Sequence, residues 1–319
     1  MLGFLIKRLG QSVVTIFLIT LIVFLVVYFI PGDPVTVMLG SQGSPQEIAT
    51  LRHEFGLDQP VQVRYGLWLW HALHLDFGTS VLLGKSVVGE VAQAFPVTLE
   101  LSVLALVIAL VIALPSGIVA GLCQDTWIDF CARGVSFLGQ SIPGFWLGLM
   151  LIWLLAVRFP LFPTYGFADL SQGIGQNLRS IALPAFTLGV YLAAPLTRYL
   201  RASVIRTRSE QYVTTARAKG LSARRVTLRH IVRASLIPFV TQLGLQLAYL
   251  IGGAIVIEQV FSVPGMGQLA LTAFNNRDYP VIQGAVVIVA GGFVLVNLLV
   301  DVLYSVLDPR IRLGGTPQA

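Results

Sequence analysis

Long apolar runs separated by polar stretches dominate the hydrophobic pattern of this chain. Each run approaches or exceeds the ~20 residues that a helix needs to cross a hydrocarbon core about 30 Å thick. The six runs are Leu9–Ile30, Val97–Leu122, Val135–Val157, Ile181–Leu200, Leu236–Ile257 and Val281–Leu307. The pattern therefore predicts an all-α membrane protein with six transmembrane helices.

A long mixed segment follows the first run. Ser44-Pro45-Gln46-Glu47 has the form of a capping box and predicts a helix that ends near Gly56. A second helix is expected to begin near Pro60, and a third, Val87–Phe95, to end at Pro96 before the second span. We therefore expect a folded external segment.

The predicted organisation has three parts: an N-terminal transmembrane helix over 1–30, an external helical segment over 31–96, and a five-helix core over 97–319 with a polar loop at 201–235. The composition agrees with a membrane protein. Of 319 residues, 55% are hydrophobic and 11% charged, and the mean hydropathy is +0.81. These values exclude an ordinary soluble domain.

The cations are sorted by side once the six spans are threaded. Fifteen of the 21 Lys and Arg residues fall on one side. They are Lys7, Arg8, Arg133, the ten from Arg198 to Arg233, Arg310 and Arg312. The positive-inside rule then predicts that both termini are cytoplasmic. Because the net charge of +6 is sorted in this way, it does not indicate nucleic-acid binding.

The stretch from Arg198 to Arg233 contains ten basic residues, and Glu210 is its one acidic residue. We expect Ser209 to be the N-cap of a helix of about three turns and Gly220 to be its C′ residue. A short polar helix with small side chains suits insertion into a groove of a soluble partner. Anchoring of the loop to anionic lipid is the alternative interpretation.

Three features that resemble chemical sites are weak. Gly84-Lys85-Ser86 ends like a phosphate-binding loop, but the spacing to the upstream glycine is wrong and no buried strand precedes it. His71 and His74 lack an evident third metal ligand, and the spacing of Cys123 and Cys131 matches no metal or redox motif. We expect no enzymatic activity, cofactor or metal in this chain.

Candidate residues for a translocation path combine polar, aromatic and kink-forming side chains. They are Ser141, Pro143, Phe145, Trp146, Gln246 and Glu258. Helix packing alone is the alternative explanation for the small residues and prolines around them.

The polar loop carries a family resemblance. Thr214-Thr215-Ala216-Arg217-Ala218-Lys219-Gly220, followed by Leu236-Ile237-Pro238, resembles the EAA-type coupling segment of ABC importer permeases, with Thr214 and Thr215 replacing its first two residues. The long gap between Gly220 and Pro238 resembles the gap found in the dipeptide, oligopeptide and nickel branch of these permeases. Further matching segments are Lys7-Arg8, Pro31-Gly32-Asp33-Pro34, Gly56-Leu57-Asp58-Gln59-Pro60, Asp76-Phe77-Gly78, Pro96-Val97-Thr98-Leu99-Glu100, Pro264-Gly265-Met266-Gly267, Arg277-Asp278-Tyr279-Pro280 and Asp308-Pro309-Arg310.

This resemblance implies a type I ABC importer permease fold in a bacterial inner membrane. It implies a homologous second permease, two cytoplasmic ATPase subunits that bind ATP and Mg²⁺, and an external solute-binding protein. The coupling residues would be Glu210, Tyr212, Thr214, Thr215, Ala216, Arg217, Ala218, Lys219 and Gly220. The expected cargo is di- or oligopeptide, with nickel–chelate, glutathione or opine-like cargo as alternatives. A self-sufficient secondary transporter would need an internal repeat and deep ionisable groups, neither of which is evident.

Overall fold

The computed structural model describes residues 2–29, 44–54 and 58–307, and within them the regular structure is helical. The α-helices are α1 (Leu2–Phe29), α2 (Pro45–Glu54), α3 (Val61–Leu73), α4 (Val87–Leu122), α5 (Trp127–Ser141), α6 (Gly144–Leu151), α7 (Ile174–Arg208), α8 (Gln211–Ala218), α9 (Ala223–Arg225), α10 (Arg233–Phe261), α11 (Met266–Asn275) and α12 (Tyr279–Leu307). A π-helical stretch, Ile152–Arg158, continues α6, and a second, Val226–Val232, joins α9 to α10. The motifs at 31–34, 56–57 and 308–310 and the basic residue Arg312 lie outside the described residues.

Four helices are long and apolar enough to cross a membrane as single pieces, which confirms a multi-pass helical protein. They are α1 over Arg8–Phe29, α4, α7, and α12 over Tyr279–Leu298. Two further spans exist only if each of two bent helix pairs crosses once. The pair Ala223–Leu247 and Gly252–Phe261 is bent by 56°.

The other bent pair shows that the bounds predicted for the third helix, Val135–Val157, are wrong, and it places a sharp bend where Pro143 predicted a kink. α5 ends at Ser141, and α6 begins at Gly144 in a direction 99° away. Ile142 has extended dihedral angles, φ −85° and ψ 122°. A residue before proline avoids the helical region because the ring of Pro143 crowds its backbone. The apolar run predicts burial or lipid contact, but not helical continuity.

The prediction of a separate short helix ending at Pro96 is also wrong. α4 is continuous over 36 residues and passes through Pro96. An internal proline removes one helical hydrogen bond, which membrane helices tolerate when neighbouring groups compensate. At 1.5 Å per residue α4 is about 54 Å long, well beyond the thickness of a hydrocarbon core.

The capping box at the start of α2 is confirmed. The Ser44 backbone N–H donates to Glu47 Oε2 at 2.9 Å, and the Glu47 backbone N–H donates to Ser44 Oγ at 3.3 Å. These hydrogen bonds hold the pKa of Glu47 below its usual value. α3 begins at Val61 directly after Pro60, as predicted.

Aromatic side chains of α3 pack on α1. Tyr65 OH lies 3.0 Å from Thr20 Oγ1, and the ring centroids of Tyr65 and Trp68 lie 5.3 and 5.8 Å from that of Phe24. Thr20 and Phe24 are the only buried residues of α1 among those whose burial is described. α3 therefore covers one strip along the C-terminal half of a predicted span.

The chain divides into two compact units, and residues 99–263 make up most of the first. Its centre is α7, which packs against α4, α5, α6 and α10. Three glycines allow close approach of α4 and α7. A Cβ added at Gly121 would lie 2.6 Å from Val204 Cβ, and one added at Gly189 would lie 2.8 Å from Ile108 Cβ. Small residues thus let two backbones pack directly.

The second unit contains residues 6–98 and 264–295. Its apolar core includes Phe77, Val87, Met266 and Val281. Beside this core the buried Asp278 accepts hydrogen bonds from the Ser80 hydroxyl at 2.5 Å and from two backbone N–H groups at 3.2 and 3.3 Å. The loop containing the apparent phosphate-binding motif therefore binds a side chain of this chain, that of Asp278.

Candidate functional site

The polar loop contains one compact helix, α8, shorter than predicted. α8 covers Gln211–Ala218, about two turns, and its N-cap is Glu210 with extended dihedral angles. The expected N-cap, Ser209, instead ends α7, where its hydroxyl donates to the Arg206 carbonyl at 2.8 Å. The prediction missed this shift because α7 continues beyond its apolar run and includes Arg208.

The end of α8 matches the prediction in conformation. Gly220 follows the helix with φ +75°, in the left-handed region that glycine adopts at no steric cost. Its amide donates to the Arg217 carbonyl at 2.9 Å. A Cβ at Gly220 would meet no atom within 4 Å. The position is thus open to solvent, and its only strict requirement is the backbone conformation.

α8 has one inner face and one outer face. Val213 is fully buried and Ala216 is 7% exposed, three residues apart on the same side of the helix. α8 contacts the π-helical stretch Val226–Val232, where Val226 and Ile231 are also buried. The inner face packs α8 against the rest of the chain. Ala216 is part of this packing and leaves little surface for a partner.

The other predicted coupling residues lie on the outer surface. They are Glu210, Tyr212, Thr214, Thr215, Arg217, Ala218, Lys219 and Gly220. Tyr212 is 46% exposed, and partial burial and the nearby Glu210 carboxylate raise the pKa of its phenol. The phenol is therefore neutral at physiological pH. This surface combines a neutral aromatic ring, two hydroxyls and two cations around small residues, and whether it binds an ATPase stays a prediction.

Three hydroxyl residues that the sequence analysis missed hold the base of the loop together. Ser203 Oγ donates to the Ser235 carbonyl at 3.1 Å, and Ser235 Oγ donates to Thr207 Oγ1 at 3.1 Å. Ser235 and Thr207 are both buried. α7 and α10 are thus joined where the loop leaves and re-enters the bundle. Single hydroxyls give no periodic signal in a sequence, so only the packing of the two helices reveals this link.

Three of the ten basic residues assigned to the loop are structural residues of α7. Arg198 Nη1 donates to Gln140 Oε1 at 2.9 Å, and Arg208 Nη1 donates to the Leu122 carbonyl at 2.8 Å. Arg201 makes a two-fold contact with Asp129, with Nε–Oδ1 at 2.5 Å and Nη2–Oδ2 at 2.7 Å. The charge density of the loop itself is therefore lower than the sequence indicates.

Asp129 is the acidic centre of this network. Its side chain is fully buried, and Oδ2 also accepts from the Asp125 backbone N–H at 3.0 Å and lies 3.6 Å from Arg133 Nε. The four-residue spacing of Asp129 and Arg133 was the available sequence signal, since such residues are neighbours on a helix. The network attaches the beginning of α5 to α7.

The predicted path residues fall into two groups. Ser141, Pro143, Phe145 and Trp146 lie around the 99° bend and are exposed. Gln246 and Glu258 are buried on α10, on either side of its 56° bend. α6 packs on α10 where Gly148 meets the ring of Phe261. The role of both groups in translocation stays a prediction.

The two histidines flagged as possible metal ligands have other contacts. His71 Nδ1 lies 3.3 Å from Asp76 Oδ2, and His74 Nδ1 lies 2.8 Å from the Trp70 carbonyl. Within residues 2–29, 44–54 and 58–307 no group of three His, Cys, Asp or Glu side chains is arranged to bind a metal ion.

Comparison with known proteins identifies the family of this chain. The model for binding-protein-dependent transport system inner membrane components matches residues 113–313, and the model for the N-terminal part of such components matches residues 1–102. A solved chain titled as an amino acid ABC transporter with histidines is 19% identical, with a TM-score of 0.47 over 70% of this chain and 94% of that one. That similarity is too low to carry an argument about fold.

Two curated relatives cover nearly the whole chain. A putative peptide transport system permease protein of Brucella abortus is 36% identical over 312 residues, which are 98% of this chain and 99% of the relative. The glutathione transport system permease protein GsiC of Escherichia coli is 38% identical over the same shares. The chain therefore belongs to the family of binding-protein-dependent transport system inner membrane components, as an ABC importer permease of the peptide family.

Proposed function

We propose that this permease imports di- or oligopeptides. Two partner ATPase subunits, which bind ATP and Mg²⁺, would supply the energy by ATP hydrolysis. Relatives named as peptide and glutathione permeases support this cargo class, and glutathione is itself a small peptide. A homologous second permease and an external binding protein complete the assembly. In this proposal each bent helix pair crosses once, which gives six spans with both termini in the cytoplasm.

The outer surface of α8 would bind the ATPase subunit. The observation that carries this proposal is the division of α8 into a buried inner face, Val213 and Ala216, and an exposed outer face beyond it. A surface helix that served only to connect two spans would not need such a fixed orientation. The lipid alternative explains the cations, but not the exposed Tyr212, Thr214 and Ala218 between them.

Movement of α8 would reach the bundle through its two attachments. The inner face packs on the π-helical stretch that leads into α10, and Ser235 connects α10 to α7 through Ser203 and Thr207. A shift of the docked ATPase would therefore act on α7 and α10 together. This supports a two-state, alternating-access mechanism in which nucleotide and cargo each favour one state.

The docking proposal is tested with Gly220→Arg. At φ +75° any side chain strains the end of α8, and an arginine there would also obstruct the outer surface. We expect co-purification of the ATPase subunits and peptide uptake to fall at least tenfold, while the permease still inserts into the membrane.

Gly166→Arg is the matched control, because Gly166 also has a positive φ, +92°, and open space around it. It should retain ATPase co-purification. Normal assembly of the Gly220→Arg variant would contradict the assignment of α8.

The cargo proposal is tested by uptake into proteoliposomes that contain both permeases and both ATPases, with the binding protein outside. Labelled di- and tripeptides should accumulate only with ATP. Glutathione is the second candidate, favoured by the Escherichia coli relative, and uptake of glutathione in preference to ordinary peptides would replace the first cargo assignment. ATP-independent transport by this chain alone would indicate a secondary carrier instead.

A further inference from the structure

A cavity of about 470 Å³ lies between α5 and α7, within the unit that contains residues 99–263. Its lining combines basic, aromatic and small polar side chains. The residues that matter for its chemistry are Arg133, Arg198, Arg201, Phe130, Phe137 and Ser136. Neither the proposed coupling surface nor the predicted path residues line this cavity.

The two helices are fixed to each other at both ends of the cavity. At one end Arg201 of α7 pairs with the buried Asp129 of α5. At the other end Arg198 bonds to Gln140, and a Cβ added at Gly139 would lie 3.3 Å from Ala194 Cβ. These two attachments hold α5 and α7 together on either side of the cavity.

The cavity favours an anion. Three guanidinium groups line it, and its lining contains no Asp or Glu. Asp129 neutralises Arg201, and its Oδ2 lies 3.6 Å from Arg133 Nε. The hydrogen bond from Arg198 to Gln140 uses only one of the donors of Arg198. A guanidinium carries five N–H donors, so Arg198 and Arg133 retain most of theirs for an anionic oxygen.

Large apolar groups surround the cationic centre. Phe130 and Phe137 are 60% and 71% exposed, and Trp127 and Val135 on the same helix are 75% and 69% exposed. In a membrane-spanning helix, exposed apolar side chains of this kind lie against lipid chains. The occupant must therefore combine an anionic group with an apolar body.

We propose that this cavity binds the phosphate of an anionic phospholipid, with the acyl chains along Phe130 and Phe137. The inference rests on the proposed topology, which puts the beginning of α5 at the cytoplasmic surface. Basic pockets between membrane helices on that side bind phospholipid head groups. A second copy of this chain is a poor occupant, because it would bring the same excess of cations to the surface.

The test measures lipid bound to the full-length permease by native mass spectrometry, alone and in the complete assembly. The probes are phosphatidylglycerol and phosphatidylcholine. We expect each arginine that contacts the bound phosphate to contribute about fivefold in affinity, so the double variant Arg133→Gln, Arg198→Gln should bind phosphatidylglycerol roughly thirtyfold more weakly. Binding of phosphatidylcholine should be weak and unchanged.

The matched control is Arg224→Gln, Arg225→Gln, which removes two exposed arginines that do not line the cavity. It should retain phosphatidylglycerol binding. Equal binding by the cavity variant and the wild type would overturn the proposal. Displacement of the lipid by millimolar inorganic phosphate, or its loss when the second permease is added, would also overturn it, because the site would then bind a free anion or a subunit.

A further variant separates this inference from the proposed function. Gly220→Arg should lose peptide uptake and keep lipid binding, whereas the cavity variant should lose lipid binding whether or not uptake changes. The lipid result can therefore be interpreted even if the coupling assignment fails, and the coupling result can be interpreted even if the lipid proposal fails.

Discussion

Two predicted spans, α1 and α7, have opposite environments in the folded chain. In the best membrane-crossing window of α7, 72% of residues are buried, whereas only 11% are buried in that of α1. The more buried helix is the less apolar one by mean hydropathy. In a soluble protein the opposite order is the rule.

The difference follows from the solvent that each helix faces. Lipid tails are as apolar as leucine side chains, so no hydrophobic force drives an oily helix into the bundle. α7 is buried through small and hydroxyl residues that let α4, α5 and α10 approach, and through one ion pair, that of Arg201 with Asp129. α1 touches its neighbour α3 along a single strip around Thr20 and Phe24. Packing chemistry, and not hydropathy, decides which helix is buried.

Truncation of a leucine should show the largest contrast. Leu200 of α7 is fully buried, whereas Leu18 of α1 is 49% exposed. Leu200→Ala leaves a cavity and should lower the free energy of unfolding by about 2–5 kcal/mol. Leu18→Ala should change it by less than about 0.5 kcal/mol. Thermal unfolding in detergent measures both, and equal losses would contradict the proposed difference between the helices.

Loss of the α5–α7 ion pair should have the next largest effect. Asp129→Asn leaves Arg201 without a carboxylate and should cost about 1.5–3 kcal/mol. The cost of a fully buried pair would be higher, but the Arg201 side chain keeps 19% of its surface exposed. Asp125→Asn, at an exposed position two residues before α5, is the control. An unchanged melting temperature for Asp129→Asn would show that the pair adds no net stability.

Addition of one methyl group should lower the free energy of unfolding at the contact between α4 and α7 and raise it at an exposed position of α1. Gly121→Ala places a Cβ 2.6 Å from Val204 Cβ, so α4 and α7 must move apart, at about 1–3 kcal/mol. Gly10 of α1 has open space, and Gly10→Ala should stabilise the helix by up to about 1 kcal/mol. Urea unfolding of both variants is the measurement. Destabilisation by Gly10→Ala would mean that α1 is packed there.

Apart from the control substitutions, the smallest effect is expected at the contact between α1 and α3. Thr20→Val removes the hydrogen bond to Tyr65 and should cost about 1 kcal/mol, confined to the contact between α1 and α3. Hydrogen exchange should accelerate in α3 and remain unchanged in α7. Acceleration in both helices would show that α1 stabilises the whole protein.

The sequence predicted the apolar helices and the local cap at Ser44, because both depend on nearby residues. It failed where continuity depends on more than apolar character. Pro143 interrupts a run and Pro96 does not, although both lie next to apolar residues. The difference is that Ile142 adopts an extended conformation, whereas the neighbours of Pro96 stay helical.

The candidate site was predicted in outline, and its inner face and attachments were not. The polar composition around Glu210 predicted a short exposed helix, and Gly220 predicted its end. The prediction that Ser209 is the N-cap of α8 was wrong because α7 extends to Arg208. Ala216 is buried and Thr215 is exposed, and Ser235 joins α10 to α7. Both features depend on how segments that are distant in the sequence pack together. No local pattern contains that information.

The uninterrupted length of α7 has a mechanical consequence. Its 35 residues measure about 52 Å, and they run from the loop before Ile174 to the residue that leads into α8. If such a rod tilts by about 10° around one end, the other end moves by roughly 9 Å. A displacement at one end of α7 can thus reach the other end with no break in the helix between them, and Pro184 and Pro195 mark where the rod would bend first.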